Sequence, residues 1–186
     1  MNQYVLLAKQ AVESYLREKK IIPPPENLPR EFFEKRAGVF VTIEQNKKLR
    51  GCIGTYLPTK INIAEEIINN AIAAATEDYR FEKIKKEELP YLLYTVYVLS
   101  EPELIEGLKD LDPKKFGIIV KTAPFTYPDE NPAFGGNVSF KAGLLLPDLE
   151  GIETIEEQFA ISCQKAGINP EKEKVFIYRF IAEKYK

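Results

Sequence analysis

The stretch from Gly38 to Asp78 constrains the fold more than any other. "GVFVTI" (38 to 43) and "LRGCIGT" (49 to 55) are β-rich runs separated by the polar "EQNKK", the pattern of a β-hairpin. With Asn46 and Lys47 as the two turn residues, the expected register sets Ile43 opposite Arg50 and Val41 opposite Cys52. The next regular segment, "NIAEEIINNAIAAATED", is helical in pattern. Asn62 and Glu65 stand at capping-box spacing, and Ala64, Ile67, Ile68, Ala71 and Ala75 form one apolar stripe. Its alanine-rich end permits close packing against a sheet.

Elsewhere the elements do not alternate strictly. Residues 4 to 18 place Tyr4, Val5, Ala8, Val12, Tyr15 and Leu16 on one helical face, and "IIPPPENLPR" stops that helix. A short helix is expected around "REFFEKR". "YLLYTVYVLS" (91 to 100), "FGIIVKT" (116 to 122), "KAGLLLP" (141 to 147) and "KVFIYRFIAEKY" read as strands. Thr154 and Glu157 open a capped helix with Ile155, Phe159, Cys163 and Ala166 on its core face, and Gly167 followed by Ile168 closes it. Three prolines and a Gly-Gly in 123 to 140 predict a long excursion that is mobile or contacts a partner. The pattern predicts an α+β fold with a mainly antiparallel sheet flanked by helices.

The chain of 186 residues contains no histidine. That removes Ser-His-Asp and Cys-His catalysis, HExxH zinc sites and histidine general bases together. Its net charge of −2, with basic pairs interleaved among acids, argues against nucleic acid as a partner. "GCIG" matches the G-x-x-G of a KH loop, but it lies in a strand-like run. The first residues lack the basic region of an export signal, and no apolar run approaches the span of a bilayer. Cys52 and Cys163 are too few and too far apart for a disulfide framework, so the expected location is the cytoplasm with both thiols free. Abundant Lys, Glu and Ile hint at a heat-adapted source.

Strand alternation puts Leu49, Gly51, Ile53 and Thr55 on one face and Arg50, Cys52 and Gly54 on the other, with Leu49 and Ile53 expected in the core. On one reading Arg50 lowers the Cys52 thiol pKa, and the glycines admit a ligand. On the other, Cys52 is a small buried residue, the glycines relieve packing, and Arg50 pairs with a carboxylate such as Asp78. A metal site would need both thiols together with carboxylates, and none is expected.

These residues also carry a resemblance. "GVFVTI" leading into "LRGCIGT", then "IAEEIINNAIAAATED", "RF", "EELP", "VYVLSEPE", "DLDPKKFGIIV" and "GLLLPDLEGIETIEEQ" are similar, in order, to the AMMECR family, in particular its bacterial AmmeMemoRadiSam branch. The resemblance runs from about residue 4 to the end and implies one domain of two lobes, the larger built from both chain ends. It implies a cytoplasmic protein of unassigned reaction, associated with a Memo-like protein and a radical SAM protein, and it names no cofactor. By position, Leu49 to Gly54 carry the "LRGCIG" hallmark. Asp78, Arg80 and Phe81 match a "DPRF"-like turn with Tyr79 in place of its proline. Where the family usually has a short basic hairpin before "GLLLP", this chain inserts residues and keeps only Lys141. The candidate ligand-binding set is Arg50, Gly51, Gly54, Thr55, Asp78, Arg80 and Lys141, with Cys52 the candidate catalytic residue. Two functions are in view: a binding or accessory module holding a small anion or partner segment beside "LRGCIGT", or an enzyme using Cys52 as nucleophile in acyl, alkyl or sulfur transfer.

Overall fold

The computed structural model describes residues 2–122 and 141–186. The excursion expected over 123 to 140 lies outside the described residues. The chain forms two compact units, Met1–Leu99 with Glu183–Lys186, and Ser100–Ala182. Both chain ends thus build the larger unit, and the fold is α+β.

In the larger unit, α1 (Gln3–Glu18) starts where the Asn2 side chain accepts the Tyr4 N–H and ends at Lys19 in a left-handed conformation, ahead of the prolines. A short α2 (Glu31–Glu34) follows and buries Phe32. Strands β1 (Val39–Gln45) and β2 (Lys48–Thr55) form the expected hairpin. Asn46 and Lys47 have φ of 52° and 61°, the paired left-handed values of a tight hairpin turn. The register above the turn differs from expectation. Glu44 faces Leu49 but Ile43 faces Gly51, so Arg50 is the extra residue of a β-bulge, and Thr42, not Val41, lies opposite Cys52. The shift also leaves Leu49 41% exposed rather than in the core, while Ile53 packs against the core edge.

The first sheet runs β2-β1-β3-β8, with β3 (Leu92–Leu99) and β8 (Ala182–Tyr185). Alternation along β1 and β3 puts Val39, Val41, Ile43, Tyr94, Val96 and Val98 into one core with α1 and α3 (Ile63–Thr76). Asn62 caps α3 by accepting the Glu65 N–H at 2.9 Å. The small residues let α3 press onto β2: a Cβ on Gly51 would stand 2.1 Å from the Ala74 carbonyl oxygen. A 3-10 helix, Lys86–Tyr91, leads into β3.

The smaller unit carries a second sheet, β4-β7-β5-β6, from β4 (Glu103–Ile105), β5 (Gly117–Lys121), β6 (Ala142–Leu145) and β7 (Phe176–Phe180). Its neighbours pair antiparallel. Helix α4 (Ile155–Ala166) opens with the predicted capping box and closes at Gly167, φ 62°, where the Ile168 N–H returns to the Cys163 carbonyl. Ile118, Val120, Leu145 and Cys163 form this unit's core. Two features depart from expectation. β4 is an additional strand, and the final run is two strands, β7 and β8, which part at Ile181 and join different sheets.

Candidate functional site

β2 is an edge strand, and at Cys52 its outer main-chain groups are occupied by side chains rather than by another strand. The Cys52 N–H donates to Asp78 Oδ2 at 2.8 Å, and Arg80 Nη2 donates to the Cys52 carbonyl at 3.3 Å. Asp78 sits just beyond the end of α3. It accepts Arg80 Nε at 2.9 Å on Oδ1 and Arg80 Nη2 at 2.7 Å on Oδ2, and its Oδ1 also takes the Arg80 N–H. An ion pair therefore stands in for a neighbouring strand and caps the edge.

Asp78 is only 5% exposed. The Arg80 hydrogen bonds hold its carboxyl down at about 2, outweighing burial, with help from the Cys52 N–H. Arg80 is raised in turn, chiefly by Asp78. The far end of Arg80 reaches solvent and lies 5.5 Å from the centre of the Phe81 ring, while Tyr79, between Asp78 and Arg80 in sequence, is 95% exposed. On the β1 side, the Cys52 Sγ lies 3.3 Å from Thr42 Oγ1, and the thiol residue is half-buried.

Arg50 is elsewhere engaged. Projected by the bulge, its Nε and Nη2 donate to the Glu88 carboxylate at 2.8 and 3.1 Å, and its Nη1 to the Glu82 carbonyl at 2.6 Å. Burial opposes ionisation of Glu88, but Arg50 and the Lys85 N–H more than offset it and lower its pKa. Arg50 does pair with a carboxylate, as one of the two readings expected, but the partner is Glu88 in the 3-10 helix rather than Asp78. The guanidinium beside Cys52 is that of Arg80.

The glycines do not open a ligand path. Gly51 admits the α3 backbone, and a Cβ on Gly54 would stand 2.3 Å from the Phe40 ring and 2.4 Å from the Val39 carbonyl. Thr55 donates to Glu66 Oε1 at 2.7 Å. Lys141, in the smaller unit, donates to the Gly167 carbonyl and to Glu173, both at 2.8 Å, next to the end of α4. Of the residues singled out from sequence, the structure brings together Cys52, Asp78 and Arg80, and gives Arg50, Gly51, Gly54, Thr55 and Lys141 structural partners.

Two buried charged residues were not anticipated. Glu66, fully buried in α3, accepts the hydroxyls of Thr55 and Thr59 on one oxygen and the N–H groups of Thr59 and Lys60 on the other, and so pins the loop after β2. Its signal was present: Ile63, Glu66 and Asn70 recur at helical spacing along the apolar stripe. Lys121, 3% exposed at the end of β5, has its pKa lowered by burial. Nothing in "GIIVKT" marks it as buried. Among the described residues, no three His, Cys, Asp or Glu side chains cluster closely enough to hold a metal ion.

Comparison with known proteins gives this geometry a family. Residues 5–185 match the family model described as AMMECR1. A Thermotoga maritima protein is 46% identical over the whole chain and 98% of its own length. A Clostridium acetobutylicum protein is 39% identical over the whole chain, which spans only 36% of that longer protein. The crystal structure of an uncharacterized protein from Pyrococcus horikoshii superposes with a TM-score of 0.81 at 36% identity, covering 97% of this chain and 88% of that one. The chain belongs to the AMMECR1 family.

Proposed function

We propose that the protein is a binding or accessory module that receives a segment of a partner protein at the Cys52–Asp78–Arg80 corner of β2. One observation carries this reading: the polar groups at the corner are already spent on holding the edge of β2, while Tyr79 stands 95% exposed beside the half-exposed Arg80. Tyrosine and arginine are the side chains that most often anchor protein interfaces. A small anion is the weaker fit, since the Arg50 guanidinium that would have held it is taken by Glu88 and the Glu82 carbonyl. The longer Clostridium relative, in which a stretch like this chain is about a third of the whole, supports a unit that works beside other domains. We take the partners to be a Memo-like protein and a radical SAM protein, and the setting to be the cytoplasm.

The test is calorimetric titration of the protein with a Memo-like and a radical SAM protein from the same source. Saturable binding, weakened at least about tenfold by Tyr79→Ala with the unfolding midpoint unchanged, is expected. Absence of binding, or equal binding by the variant, overturns the proposal.

The enzymatic alternative has one observation in its favour: the half-buried Cys52 thiol lies on the strand whose carbonyl Arg80 grips. Fast alkylation of Cys52 by iodoacetamide at neutral pH, slowed several-fold in Arg80→Lys, would put acyl, alkyl or sulfur transfer first.

A further inference from the structure

Within the larger unit, a groove of about 420 Å³ lies between the proline linker that follows α1 and the first turns of α3, lined by Ile22, Pro23, Pro24, Lys60, Glu65 and Ile68. Its walls are held in place. Ile68 is buried and Ile22 packs against the same core, while Pro23 and Pro24 have a fixed φ and offer no N–H of their own. Lys60 is fixed through its main chain: its N–H donates to the buried Glu66 carboxylate at 2.8 Å, and its carbonyl accepts Arg36 Nε at 3.3 Å. Glu65 belongs to the first turn of α3, where Asn62 accepts its N–H. The buried Glu66 therefore also sets the position of the residue that carries the groove's cation.

Lys60 and Glu65 are both half-buried, yet among the described residues neither side chain has a hydrogen-bond or ion-pair partner, and they do not pair with each other. A groove that presents one cation and one anion beside an apolar floor matches a ligand that carries both charges and a hydrocarbon group. We propose that it binds a free aliphatic α-amino acid of the leucine, isoleucine or valine class. The α-carboxylate lies at Lys60, the α-ammonium at Glu65, and the side chain against Ile22, Pro23 and Ile68. The volume agrees, standing near the small end of the range for small-molecule sites. The charges choose among the alternatives. A lone carboxylic acid, or the last residue of a polypeptide, would leave Glu65 without a counter-charge, and an internal peptide segment would leave both groups unmatched. This site is independent of the Cys52 corner.

The experiment titrates L-leucine into protein with isotope-labelled isoleucine methyl groups and follows their signals by NMR. Saturable shifts are expected, largest at Ile22 and Ile68. Lys60→Met and Glu65→Gln should each weaken binding at least about threefold, with the remaining isoleucine signals in place, since neither side chain has a partner within the protein to lose. Leucinamide, which lacks the carboxylate, and N-acetyl-leucine, which lacks the ammonium, should each bind more weakly than leucine by at least a similar factor. Glycine keeps both charges without the side chain and should not saturate the site. Absence of saturable shifts with leucine, or binding indifferent to both variants, would overturn the proposal. So would glycine or leucinamide binding as tightly as leucine, or N-acetyl-leucine doing so, which would mark the groove as a receptor for the end of a polypeptide instead.

Discussion

Replacing Arg50 by alanine strips Glu88 of its guanidinium partner and the Glu82 carbonyl of its donor, at a pair whose side chains are 17% and 21% exposed. We expect a loss of about 2 kcal/mol in urea unfolding, less than a fully buried pair and more than a surface one, with the alkylation rate of Cys52 unchanged. A change in that rate would show that Arg50 reaches the thiol. Asp78 gives a pH signature instead. Its carboxyl falls from an ordinary 3.8 to about 2 in the folded protein, so the unfolded chain takes up the proton first as the medium is acidified. The stabilisation is complete above about pH 4 and lost as pH falls through about 2, and it amounts to about 2 kcal/mol. Measured between pH 5 and 2, wild type should lose about that much more unfolding free energy than Asp78→Asn. Parallel profiles would refute the assigned role of the Arg80 pair.

At the scale of the elements, the approach of α3 to β2 is the least forgiving contact. Gly51→Ala drives a methyl into the Ala74 carbonyl, a main-chain atom that cannot swing aside, and should cost about 3 kcal/mol. At the start of α4, Thr154→Ala removes the acceptor of the Glu157 N–H and should cost about 1 kcal/mol in the same assay. The difference between these two sites marks what a sequence discloses. Caps and turns are local, and Asn62, Thr154 with Glu157, Gly167 and the Asn46–Lys47 turn were all legible because the residue and its partner lie within five positions of each other. The bulge was not, since Arg50 is held by Glu88, 38 residues away, and no local signal predicts it. Of the candidate site, the Asp78 and Arg80 turn was legible only through the family resemblance. Its hold on the main chain of Cys52 spans 26 residues and depends on where α3 ends.

For the molecule as a whole, no helix of the described residues is long and apolar enough to cross a membrane, and no disulfide joins Cys52 to Cys163. Thiol titration in denaturant without reductant should count two, and a count near zero without intermolecular dimers would contradict the cytoplasmic setting proposed above. The break at Ile181, where the chain leaves the second sheet for the first, bears on how the protein is made. All four strands of the second sheet precede residue 182, so that sheet has its full complement on the ribosome while the first, begun at Val39, still lacks β8. The edge of β3 therefore stays bare through the synthesis of more than 80 residues, from Ser100 to Ile181, in a nascent chain exposed to whatever strand it meets first. Growth conditions that slow translation should raise the demand of this chain for chaperones far more than its equilibrium stability suggests.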